Sequence, residues 1–356
     1  MNIITAGFCG TGSSAIEDIL LEYDGCTVGN YSRFEHVLFY VPDGLFDLED
    51  RIVHNNSFHM FDGAIKRFRK AMKRLNDNEF HWFGGYEKRT KNRFMQIVDD
   101  FIESLIQFQI EGYWSDDITS VRTFKGSVKD VITQKKLFGC DIGMRNKVNP
   151  ADDNKIYFCF FTKEQFLEKA RVFVKNYMDL VRENCEQDIF IFDQLLLPQH
   201  IARASDYFDC DTTRVILVDR DARDLFVLSK YVWPYQSGRS NKYFPDDVHA
   251  FTAFHRGMRQ NVCCDSELLL HVRFEDLLYR YEESLHRIED FLGVDAEDHT
   301  KKGTHFCVEK SIKNTQNFLI DKNWTNEVSY ITDSLPEYIY EFPYEIRVNI
   351  AETSDP

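Results

Sequence analysis

The sequence predicts a three-layer α/β fold around a central, mainly parallel sheet. Three observations predict it. The first thirty-odd residues run strand, glycine loop, helix, strand, which is the opening of a βαβ unit. Two later segments, 188–193 and 214–219, are apolar almost throughout, as parallel strands covered on both faces are. A long stretch with helical spacing, about 43–186, separates them from the opening unit and reads as a large helical insertion.

Element by element, residues 2–6 give the first strand and residues 7–14 the loop. Ala15, Ile16, Ile19, Leu20 and Tyr23 then share one helical face, as a helix packed on a sheet requires. A second strand is expected over 26–35. Within the insertion, 94–109 carries a helical stripe, and Phe166, Leu167, Ala170, Phe173, Val174, Tyr177 and Val181 keep helical spacing. Strands return at 188–193 (Ile189, Phe190, Ile191, Phe192) and 214–219 (Val215, Ile216, Leu217, Val218), with a further one at 268–272. No internal repeat is visible.

The 356 residues, with 31 Phe and 17 Tyr spread along the chain, can bury a large core, and only 351–356 are expected to fray. A formal charge of −15 argues against a surface built to hold nucleic acid, so any anion site must be local. No apolar run approaches the roughly 20 residues of a membrane span, and a strand beginning at Asn2 leaves no room for a signal peptide. The expectation is a cytoplasmic protein with no integral membrane segment. Cys9, Cys26, Cys140, Cys159, Cys185, Cys210, Cys263, Cys264 and Cys307 form no CxxC pair and no metal-ligand spacing, which predicts reduced thiols and no structural metal.

Chemistry concentrates first in Gly7-Phe8-Cys9-Gly10-Thr11-Gly12-Ser13-Ser14, between a strand and a helix. Glycines let the backbone turn with its N–H groups inward, and the helix start adds partial positive charge, so the loop suits a phosphate-like anion. A tight turn with no ligand is the plainer alternative. An ATP or GTP site calls for Lys followed by Ser or Thr at the end of the loop, and Gly12-Ser13-Ser14 has no lysine. Glycines at 7, 10 and 12 do not fit the dinucleotide spacing GxGxxG either.

The second segment, 214–231, ends a strand in Asp219-Arg220-Asp221-Ala222-Arg223-Asp224 and continues as a helix carrying Ser229. Arg220, Arg223 and Ser229 thus gather at the carboxyl end of a strand, where open α/β sheets bind ligands, and a guanidinium fork matches a phosphate dianion. A salt-bridged helix start, with Asp221 and Asp224 pairing the arginines, is the alternative.

With these segments quoted, the chain resembles the PAPS-dependent sulfotransferase family (PAPS, 3′-phosphoadenosine 5′-phosphosulfate), in its bacterial polysaccharide or carbohydrate type. Residues 7–15 resemble the family's 5′-phosphosulfate loop, and 218–229 its 3′-phosphate motif. The run Val272-Arg273-Phe274-Glu275-Asp276-Leu277 through Ile288 to Gly293 resembles its strand, Glu-Asp-Leu, helix and Phe-Leu-Gly stretch. Glu309-Lys310-Ser311-Ile312-Lys313-Asn314-Thr315 is similar to a Ser-x-x-Asn segment that closes over the nucleotide in polysaccharide-type members.

The resemblance implies a P-loop-like fold over 1–350 as one domain with the helical lobe inserted, and transfer of the sulfuryl group of PAPS to the hydroxyl of a glycan or small acceptor, without a required metal. It implies nucleotide contacts at Gly10, Thr11, Gly12, Ser13, Ser14, Ala15, Arg220, Arg223, Ser229, Ser311, Lys313 and Asn314. The family's base is a histidine or a glutamate, which at the end of the second strand points to Glu35, with His36 second. Many members carry a lysine or arginine in the loop where this chain has Ser13 and Ser14, so Arg33 or Lys313 must supply the cation.

Two basic clusters in the insertion (Lys66, Arg67, Arg69, Lys70, Lys73, Arg74; and Lys88, Arg89, Lys91, Arg93) suit either an acidic glycan or a charge-balanced helical face. Trp82, Phe83, Tyr86, Tyr113 and Trp114 suit either sugar stacking or a core. The rival readings are a P-loop-like nucleotide kinase or NTPase and a non-catalytic nucleotide-binding relative.

Overall fold

A computed structural model describes residues 1–55, 57–80, 82–112, 155–183, 185–234, 244–262 and 266–346. Cys140, Cys263, Cys264, Tyr113, Trp114 and the tail 351–356 lie outside them. The chain divides into two compact units: Met1–Phe39 with Glu79–Phe83 and Met178–Pro356, and Tyr40–Asn78 with Gly84–Tyr177.

The first unit is an α/β layer structure on a five-stranded parallel sheet. Strands β1 (Asn2–Gly7), β2 (Cys26–Thr27), β5 (Ile189–Asp193), β6 (Thr213–Asp219) and β7 (Leu269–Arg273) take the order β2-β5-β1-β6-β7, every neighbouring pair parallel. β1 is therefore the central strand, and its carboxyl end opens between those of β5 and β6. Burial on both faces explains the apolar runs within β5 and β6. On one face, Ile3, Ile191, Ile216, Val218 and Val272 pack with Ile16, Ile19 and Leu20 of α1 (Ser13–Leu20) and with a helix at Tyr281–Leu292. At roughly 25 cal/mol per Å², such side chains contribute about 1.5–3 kcal/mol each, so this cluster fixes the α1 start in space.

The second strand is shorter than the sequence predicts. After Thr27 the chain turns through Gly29, at φ +56, and Arg33, at φ +55, which no continuous strand accommodates. It rejoins the sheet only as a single parallel bridge between Glu35 and Asp193. The turn costs strand length and places Glu35 beside the end of β5.

The second unit is mainly helical. Its helices α2 (Phe58–Asp77), α3 (Phe94–Leu105) and α4 (Lys163–Arg182, which ends in the first unit) present apolar stripes, with Phe68, Phe101, Phe166 and Phe173 in mutual ring contact. The stripe expected over 94–109 stops at Leu105. Residues beyond it form β3 (Phe108–Glu111), antiparallel to β4 (Lys155–Phe158), a two-stranded sheet unforeseen in the sequence because four residues carry too little period to declare themselves. Among the described residues no helix is long and apolar enough to cross a membrane.

Candidate functional site

The site builds from the carboxyl end of β1. Gly10 and Gly12 stand at φ +75 and +96, where side chains are strained, and both are also hemmed in: a Cβ would fall 2.5 Å from Trp233 at Gly10 and 2.7 Å from Phe274 at Gly12. The loop's shape is thus fixed by packing as well as by dihedrals. Thr11 is buried and spends its amide (2.9 Å) and its hydroxyl (2.7 Å) on Phe8 O, closing the turn. Gly12 caps α1 without a side chain, and the Ala15 amide returns to Gly12 O at 3.0 Å. Ser13 and Ser14 begin the helix, so their amides have no partner in the helical ladder and remain available to an anion. The Ser13 hydroxyl is held by its neighbours: it bonds the Asp193 carboxylate and accepts from Gln194 Nε2 at 3.2 Å.

Arg220 enters the loop from the end of β6. Its buried guanidinium donates to Gly10 O at 3.1 Å and to Asn314 O, and rests 4.8 Å from the Phe274 ring centroid. One side chain therefore ties the glycine loop to the 311–317 segment, two of the stretches picked out in the sequence. Its Nε is buried without a partner. Positive charge reaches the loop by this route, although the loop itself has no lysine. Ser311 and Lys313 are half-buried on the same segment.

Arg223 is engaged elsewhere. It pairs with Asp221 at 2.7 Å, donates to Tyr340 O at 2.9 Å and stacks 4.2 Å from the Phe318 ring centroid. Asp221 also caps helix α5 (Ala222–Val227), accepting from the Arg223 and Asp224 amides. Past α5 the backbone opens into a π-helical turn, Leu228–Val232, carrying Ser229. The Ser229 hydroxyl is buried with no hydrogen-bond partner, and one turn on stands Trp233, the residue against Gly10. Asn317, fully buried, has neither amide atom bonded. Arg220 beside the loop, and Ser229 and Asn317 on the segments that follow β6 and Asn314, each hold a buried polar group without a partner, which costs about 1–3 kcal/mol until something bonds it.

The opposite flank of the loop is acidic. Glu35 is half-buried, its amide donates to Trp82 O at 2.8 Å, and its carboxylate accepts a hydrogen bond from the Trp82 side chain. Desolvation, then the charge of Asp193, pushes the Glu35 carboxyl up to about 7. Asp193, which bonds Thr5 Oγ1 at 2.6 Å, is pushed by burial to about 6, and Glu17 on α1 to about 7 by burial and by Asp193. Cys9 in the loop is exposed at the surface, and desolvation, then the charge of Glu35, raises its thiol. Glu35 therefore sits within electrostatic reach of the loop.

The other two candidates for acid–base and charge roles point away. His36 is core, its ring 5.1 Å from both Phe34 and Phe192. Neighbouring residues in extended chain face opposite ways, so seating Glu35 at the loop sends His36 inward. Arg33 is a surface residue, its side chain 65% exposed and paired with Asp18 at 3.1 Å. Among the described residues no cluster of three metal-binding side chains occurs.

Residues that sequence reasoning gave no role include Asp193, Glu17, Gln194 and Glu275. The run Ile189-Phe190-Ile191-Phe192-Asp193 does signal an acid at a strand end, but the bridge that sets it beside Glu35 is tertiary. Glu275 is fully buried: one carboxylate oxygen accepts from the Asp221 amide at 2.8 Å and the other has no hydrogen bond. Burial raises its carboxyl to about 8. Because the folded value exceeds the unfolded one, its stabilising share is complete at acid pH and is lost as pH rises through about 8. Relative to Glu275→Gln, the wild type is expected to lose about 1.4 kcal/mol per pH unit between roughly pH 5 and 8. Parallel urea-melt pH profiles for the two proteins contradict this.

No protein-family model matches the chain, and no curated protein matches it. Among solved structures it is similar to a sulfotransferase domain from the curacin biosynthetic pathway, at 13% identity and a TM-score of 0.36, over 96% of this chain and 98% of that one. A likeness that weak adds nothing to what the sheet order and the site already state.

Proposed function

We propose that the protein is a sulfotransferase that moves the sulfuryl group of PAPS to a hydroxyl acceptor, with a carbohydrate as the favoured class. The observation that carries this reading is Glu35: a carboxyl held at about 7, half-buried, next to an anion loop at the centre of a parallel sheet. A base with that value can take a hydroxyl proton near neutral pH, whereas a carboxylate at its ordinary value is too weak.

The spare amides of Ser13 and Ser14 would hold the 5′ end of the nucleotide, and Arg220 with Ser229 its 3′-phosphate. The bound donor supplies an activated sulfuryl group on a phosphate leaving group. The chain's own part is alignment, charge and a proton acceptor. Glu35 accepts the proton, and the Arg220 guanidinium brings the positive charge that Ser13 and Ser14 lack. Trp82 stands against Glu35, with Phe83 stacked 4.6 Å from Phe80, and aromatic faces of that kind suit a sugar ring.

The first basic cluster favours no acidic glycan. Lys66, Arg67, Arg69 and Lys73 pair with Asp62, Asp43, Asp99 and Asp77 at 2.7–3.1 Å, a charge-balanced surface rather than an open anion groove.

One observation favours a second reading. Asp193 ends the strand beside β1 and bonds Ser13, the place where P-loop NTPases keep the acid of their magnesium site. Its carboxylate is already bonded by Thr5, Ser13 and the Gln194 amide. Calorimetry separates the two: adenosine 3′,5′-bisphosphate should bind equally with and without magnesium and ATP should not, followed by transfer of labelled sulfate to a panel of acceptors. Magnesium-dependent ATP binding with none of the bisphosphate overturns the proposal.

A further inference from the structure

The 311–317 segment reaches the glycine loop through Arg220, and something must hold it there. Over Ser311–Asn314 every residue is half-buried, and Ile312 packs against the core cluster beneath α1. Immediately after them the chain becomes fully buried at Thr315, Gln316 and Asn317. Gln316 stands at φ +55, a left-handed conformation that a glutamine adopts only when its surroundings enforce it. The Gln316 side chain is held by Tyr279 Oη, Tyr344 O and the Ile346 amide, and its backbone is held by Asp224 on α5. Asp224 is fully buried, and its two carboxylate oxygens accept the Gln316 amide at 2.8 Å and the Asn317 amide at 2.6 Å.

Two consecutive amides can converge on one carboxylate only when the backbone between them curls, so the strained residue and the acid are parts of one device. Asp224 also lies four residues after Arg220, on the helix whose first turn follows that arginine. Asp221, by contrast, is used by the Arg223 side chain and the Tyr340 amide. Of the two acids that the sequence offered as partners for the arginines, one pairs and the other grips backbone.

We infer that Asp224 is a positioning residue for donor binding: by clasping the Gln316 and Asn317 amides it holds the 311–317 segment against Arg220 and the glycine loop, and so sets donor affinity without touching the reacting atoms. The inference rests on the nucleotide-binding reading above. Asp224→Asn keeps volume and shape but turns one acceptor into a donor facing a backbone N–H, which breaks one of the two bonds.

The variant is expected to bind adenosine 3′,5′-bisphosphate about tenfold or more weakly, from the loss of one of the two backbone bonds to Asp224. KM for the donor should rise by the same factor, with kcat at saturating donor and KM for the acceptor unmoved, and amide hydrogen exchange at Gln316 and Asn317 should accelerate. Asp224→Glu, which keeps two acceptor oxygens on a longer arm, should recover part of the affinity. A merely structural acid would lower melting temperature and amount of active protein without this split between donor and acceptor constants.

Should Asp224→Asn fold poorly, hydrogen exchange on the wild type decides: added bisphosphate must protect 314–317. Wild-type binding matched by the variant, or no protection at 314–317, refutes the role of Asp224 while leaving the nucleotide reading intact. No bisphosphate binding by the wild type removes that reading and this assignment with it.

Discussion

Glu35→Gln is expected to bind adenosine 3′,5′-bisphosphate as the wild type does and to transfer sulfate about 10²–10⁴-fold more slowly, the usual worth of a positioned general base. The expectation follows from what the side chain can and cannot do. A glutamine keeps the volume and still accepts from Trp82, so the flank of the loop stays built, but it has no basic oxygen with which to take a proton. The pH profile gives an independent sign. Desolvation and Asp193 hold the Glu35 carboxyl near 7, and the base works only when ionised, so wild-type kcat/KM should climb as pH rises through about 7 and level off above it. The residual rate of the variant should lack that limb. Undiminished turnover, or an unaltered limb, takes Glu35 out of the mechanism.

Arg220 should matter most for binding. Its guanidinium satisfies Gly10 O and Asn314 O together, a span that one ammonium cannot cover. Arg220→Lys keeps the charge and loses the fork, so bisphosphate affinity should fall about tenfold or more, roughly 1.4 kcal/mol per factor of ten. Arg220→Ala goes further. It removes the donor from two half-buried carbonyls and opens space against Phe274, so binding should disappear and the melting temperature fall. Calorimetry and melting of the two variants separate the contributions. If Arg220→Lys binds as tightly as the wild type, the fork is not what joins the loop to the 311–317 segment.

The fold was legible where burial writes itself into consecutive residues. Strands β5 and β6 begin and end within a residue or so of the apolar runs, because a parallel strand covered on both faces has few polar positions to blur its edges. The expected strand over 26–35 failed because Gly29 and Arg33 sit at positive φ, a backbone choice to which Arg33 gives no clue in sequence. Within the site, Glu35 and Arg220 were legible as chemistry-bearing residues at strand ends. Their orientation was not. His36 and Arg33 carry equally suggestive side chains, and only the direction of each Cα–Cβ bond against its neighbours sends one into an aromatic core and the other to Asp18.

The sequence by itself determined the parallel α/β class, the glycine loop between β1 and α1, and the absence of a loop lysine, because each is a local pattern: period, glycine spacing, residue type. Tertiary structure alone decided that Arg220 donates to Gly10 O, that Arg223 serves Tyr340, that Asp224 clasps backbone some ninety residues away, and that burial and Asp193 push the Glu35 carboxyl up to about 7. The reason is physical. A side chain's partner, its water and its proton affinity depend on what the rest of the chain brings within a few ångströms, and loop closure across tens to hundreds of residues leaves no periodic mark in the sequence.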